Sequence, residues 1–128
     1  MNLSQENLDA ILASVLAVNC YGLEKAYSLL PSFRKFGLTD PSKISRTNVG
    51  EVMTQLYTAG YNRGLLTEMM AGRLVDLMKA VNSGDLEGFD ELVALGKKQE
   101  AIKLLCNVKG IGPKVSADVW MLVSGVDR

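Results

Sequence analysis

Histidine is absent from the 128 residues, and cysteine occurs only at Cys20 and Cys106. A tetrahedral Cys/His zinc site or a thiolate-held iron–sulfur cluster needs more ligands than that, so no metal site and no cofactor are expected. The two cysteines lie far apart, each beside an apolar helix pattern, and are read as buried free thiols, as suits a reducing cytoplasm. Proline appears three times, at Pro31, Pro41 and Pro113, each where a helix pattern stops or starts. Aromatic residues make up only 6% of the chain. Tyr21, Tyr61 and Trp120 are the available stacking surfaces, with core packing the alternative for Trp120. No apolar run approaches the roughly 18 residues of a membrane span, and the polar start has no signal-peptide pattern. Net charge is zero, 14 basic against 14 acidic residues, so affinity for a polyanion must come from local segregation of charge.

Alternation with period two is also missing, and helical spacing fills the chain instead. Leu8, Ile11, Leu12, Val15 and Leu16 form a stripe that Ser4 can cap, and the spacing resumes at Leu23, Ala26, Tyr27 and Leu30 until Pro31. Phe33, Phe36 and Leu38 are expected to pack a short connection. Asp40-Pro41 reads as a cap and first turn, and Asn48 with Glu51 as a capping box for a helix ending near Gly60. Residues 63 to 81 are apolar almost all round and predict the central helix, with Met69, Met70 and Met78 as adaptable filling. A shorter segment from Asp85 to Leu95 follows. The expected fold is all-α, one domain over 1–128, a bundle or orthogonal barrel of about seven or eight helices ending in a helix-hairpin-helix.

That ending is the most informative stretch. In Val108-Lys109-Gly110-Ile111-Gly112-Pro113-Lys114, two glycines flank one apolar residue between two helix patterns. Gly110 and Gly112 permit positive φ and close backbone approach, Ile111 can pin the two helices together, and Pro113 suits the first turn of the second helix. The N–H groups from Gly110 to Lys114 then lie at a positive helix end, an arrangement suited to phosphate. Lys97, Lys98, Lys103, Lys109 and Lys114 face one acid, Glu100, for a local net charge of +4. The expected guest is a nucleic-acid backbone, held by Gly110, Ile111, Gly112, Lys109 and Lys98. A plain helix connector with a solvated lysine face is the alternative.

These residues resemble the helix-hairpin-helix of the endonuclease III and 8-oxoguanine DNA glycosylase superfamily, with Lys109 where that motif has proline and Ser116 where it has alanine. The four-cysteine cluster of endonuclease III is not encoded. The similarity extends over roughly residues 5 to 127. Leu12 to Tyr27 resembles the family's second helix, turn and third helix, placing Asn19 at the position that reaches into the DNA and Tyr21 beside it. Gly60-Tyr61-Asn62-Arg63 resembles the turn before the family's central helix.

The resemblance implies a DNA glycosylase with AP-lyase activity, acting on double-stranded DNA that carries a damaged base or an abasic site. Lys114 falls on the position of the nucleophile, and Val126-Asp127 resembles the segment carrying the catalytic aspartate, here Asp127. A nucleophilic lysine must shed its proton, and a positive helix end among other lysines favours that. The alternatives are an ordinary ion pair between Lys114 and Asp118, one helical turn apart, and a non-catalytic DNA-binding or partner module. Family members continue past the aspartate with helices that return to the first helix. Their lack here is read as a minimal form, a fragment, or an edge covered by a second copy or a partner. The expected location is the cytoplasm or nucleoid.

Overall fold

The computed structural model describes residues 3–18 and 21–124. Among them it has nine helices and no strand: α1 (Gln5–Leu16), α2 (Leu23–Ser28), α3 (Leu30–Lys35), α4 (Pro41–Ile44), α5 (Val49–Ala59), α6 (Leu66–Asn82), α7 (Phe89–Ala94), α8 (Lys98–Cys106) and α9 (Pro113–Ser124). The fold is all-α. No helix among the described residues is long and apolar enough to cross a membrane.

Local chemistry places most of the boundaries. Ser4 accepts the N–H of Asn7 and opens α1, Asp40 accepts those of Ser42 and Lys43 ahead of Pro41, and Asn48 accepts that of Glu51 at 2.8 Å. Each such cap is worth about 1 kcal/mol. Gly60, at φ 103°, closes α5 in the left-handed conformation that costs glycine nothing.

The ninth helix comes from Pro31. Proline breaks the ladder of α2, but it sits in the first turn of α3, where its missing N–H has no intrahelical partner to lose. The segment expected as a connection is therefore helical, and it buries Phe33 completely. The long helix starts at Leu66 and not at Arg63, because residues 61–63 run as an irregular turn. Its circumference is also less apolar than expected: Met70 and Met78 are buried, whereas Met69 is exposed.

Helix α6 packs against α1, α4 and α5, and α1 packs against α2, α6 and α9. Every residue from Leu8 to Leu16 is buried, so α1 shares the centre with α6. Two polar ties lock its angle. Asp90 of α7 accepts from the Ser4 N–H at 2.8 Å and the Asn7 side chain at 2.7 Å, and Asp9 pairs with Arg34 of α3 at 2.6 Å. Cys106 is a free thiol at the exposed end of α8, not buried as expected, with its sulfur 3.5 Å from the Ser116 hydroxyl.

Candidate functional site

Helices α8 and α9 pack on one another across the turn 107–112. Ile111 is 5% exposed and its N–H donates to the Val108 carbonyl at 3.1 Å. It pins the turn, and neither its side chain nor its N–H is left for a ligand. Gly110 takes φ 93°, and a Cβ there would stand 3.2 Å from the Arg73 side chain of α6. Gly112 is different. Its φ lies outside the left-handed range, and an added Cβ would meet nothing within 4 Å. Only Gly110 is a glycine for internal reasons.

Among the described residues, the N–H groups of Lys109, Gly110, Gly112, Lys114 and Val115 meet no internal acceptor, whereas the Ser116 N–H returns to the Gly112 carbonyl at 3.0 Å. Those of Gly112, Lys114 and Val115 stand at the start of a twelve-residue helix. Lys109 is exposed beside them, bordering a shallow cleft with Asp76, Lys79 and Asp85, so acids temper its charge. The aliphatic stem of Arg73 lies against Gly110, which no local pattern announced. Lys98 lies at the opposite end of α8, about 12 Å from Cys106 at 1.5 Å per residue. The structure does not bring it to the turn.

Lys114 projects from the first turn of α9, its side chain 87% exposed and its ammonium 3.1 Å from Asp118. Both line a cleft of about 610 Å³ whose far wall is Ser14, Ala17 and Val18 at the end of α1 and Gly22 and Leu23 at the start of α2. The cleft is within the size range of small-molecule sites. Among the described residues its walls are small or aliphatic, and Lys114 and Asp118 are the only charged ones lining it.

The α1 end of this cleft is held from a distance. Tyr61 donates its phenol to the Leu16 carbonyl at 2.7 Å, and Arg63 donates to the Val18 carbonyl at 2.7 Å. Carbonyls at a helix C-terminus lack intrahelical donors, and these two side chains supply them. Tyr61 is completely buried and Trp120 is 6% exposed, so neither offers a face to a base. Tyr21 is half-buried, its ring 5.0 Å from that of Tyr61, with Lys25 at 4.6 Å and Arg63 at 4.9 Å from its centroid. Burial pushes its phenol above the ordinary 10.0, and Arg63 opposes the shift. Tyr21 thus works as a packing residue at the α1–α2 turn. Asn19 and Asp127 lie outside the described residues, as does Cys20.

No protein-family model, curated protein or solved structure matches this chain.

Proposed function

We propose that the chain is a DNA-binding domain that holds the duplex backbone on the turn between α8 and α9, and that it is a DNA glycosylase with AP-lyase activity. One observation carries the reading most of the way. An exposed lysine amine stands at the mouth of a cleft, one helical turn from three free backbone N–H groups. In this reading the turn is a helix-hairpin-helix. Phosphate on the N–H groups of Gly110, Gly112 and Lys114 brings the sugar-phosphate backbone to Lys114, and a nucleotide extruded from the stack enters the cleft. The Lys114 amine attacks C1′ as the base leaves, and the resulting iminium permits β-elimination of the 3′ phosphate.

Position counts for much of such catalysis, since the reacting atoms are delivered together. Tyr61 and Arg63 hold the opposite wall, and the backbone of Gly112 is bare where a phosphate must approach. A second reading, in which the turn binds DNA and the lysine does no chemistry, takes the contact of Lys114 with Asp118 as an ordinary surface ion pair.

Borohydride trapping on a duplex with a single abasic site separates the two. The expected result is a covalent adduct with the wild type that is lost in Lys114→Ala while DNA binding persists. Binding without any adduct would leave the non-catalytic module.

A further inference from the structure

We infer that Asp118 is the proton acceptor for Lys114, the carboxylate that frees the amine to attack. The inference rests on the lyase reading and goes beyond it, because the resemblance pointed to Asp127 as the aspartate and left Asp118 as an ordinary surface pair. Three observations carry it. Oδ2 of Asp118 is 3.1 Å from Nζ of Lys114, within the reach required of a general base. Among the described residues, Asp118 is the only carboxylate lining the cleft. Its side chain is 40% exposed against 87% for the lysine, so the amine is the more accessible of the two. A substrate sugar reaches the nitrogen first.

The shared helix keeps the two in register. One turn of α9 separates them, so any ligand seated on the N–H groups at the start of α9 is fixed relative to both. An exposed i, i+4 pair contributes little to stability. Its place in a cleft whose other described lining residues are uncharged gives it a chemical use instead.

The step balances without any further reactant. At an abasic site, one N–H bond of the Lys114 ammonium breaks and its proton passes to Oδ2 of Asp118. The freed lone pair forms the N–C1′ bond with the open-chain aldehyde while the C=O π pair moves to oxygen. That oxygen takes one proton from the nitrogen and a second from Asp118, and leaves as water. The product is an iminium and a regenerated carboxylate.

The test is single-turnover trapping on the abasic duplex with wild type, Asp118→Asn, Asp118→Glu and Lys114→Ala, with DNA binding measured in parallel. Asp118→Asn keeps the shape and a hydrogen bond but not the basicity. Its trapping rate is expected to fall by roughly 10²–10⁴-fold, the usual contribution of a positioned base, with DNA affinity within about threefold of wild type. Asp118→Glu, which restores a carboxylate, is expected to recover part of the rate. Trapping by Asp118→Asn at the wild-type rate would overturn the inference and leave the lyase reading intact. So would a loss of rate matched by an equal loss of affinity, which would make Asp118 a binding or structural residue. A wild type that forms no adduct would overturn the lyase reading, and this inference with it.

Discussion

The phenol of Tyr61 donates to the carbonyl of Leu16 at 2.7 Å, joining two points 45 residues apart in the chain. The bond does more than fill a buried acceptor. Leu16 is the last residue of α1, and the next two residues form the wall that faces Lys114 across the cleft. Tyr61→Phe removes the donor and leaves a buried carbonyl unsatisfied, at an expected cost of about 1–3 kcal/mol. Urea unfolding followed by circular dichroism measures it, and an unchanged midpoint would mean that water replaces the phenol.

The same burial predicts a weakness at alkaline pH. Desolvation raises the Tyr61 phenol above its ordinary 10.0, with the Arg63 hydrogen bond and charge opposing, and burial raises Tyr21 likewise. In the unfolded chain both phenols ionise near 10.0, so there the fold binds more protons than the unfolded state. The stabilisation from keeping them neutral is complete below that pH and is lost as pH rises through the folded values. Tyr61→Phe is expected to flatten the fall in stability above pH 10.0, as thermal melts across that range would report. Tyrosine absorbance should then rise together with loss of helix. Full ionisation near 10.0 with the helical signal intact would contradict it.

What the sequence made legible was local, and what it hid was tertiary. Ser4, Asp40 and Asn48 cap helices because an N-cap is an affair of three or four neighbouring residues, and Pro113 starts α9 for the same reason. Lys114 and Asp118 meet because four residues make about one helical turn. Pro31 misled because a residue that ends one helix is equally able to begin the next. Tyr61 read as a surface for stacking, since nothing in Gly60-Tyr61-Asn62-Arg63 discloses that its hydroxyl reaches the end of α1. Arg73 against Gly110 was equally beyond local pattern, the two being brought together only by the packing of α6 beside the turn.

The two glycines of the turn are expected to answer differently to alanine. Gly110→Ala forces a side chain into φ 93° and against Arg73 at 3.2 Å, and should cost about 1–2 kcal/mol. Gly112→Ala meets no atom within 4 Å and no positive φ, so stability should hold or rise by roughly 0.4–1 kcal/mol as the unfolded chain loses freedom. Its effect should appear in DNA affinity instead, because the methyl group occupies the space a phosphate needs. Melting temperature and duplex binding, measured on both variants, separate a glycine kept for folding from one kept for a ligand. Undiminished binding by Gly112→Ala would remove the turn from the interface.

Salt dependence decides which lysines the backbone contacts. Each phosphate neutralised contributes about 0.9 to the slope of log affinity against log salt on duplex DNA. Lys109, exposed in the turn beside the free N–H groups, is expected to make such a contact, so Lys109→Ala should reduce the slope by about that amount and weaken binding to every sequence alike. Lys98 stands at the far end of α8, and Lys98→Ala should leave the slope unchanged. Filter binding at four or five salt concentrations resolves the difference. A protein whose binding ignored salt and both substitutions would have no use for the charge gathered along this segment, and a helical interaction domain without a nucleic-acid partner would then explain the chain better.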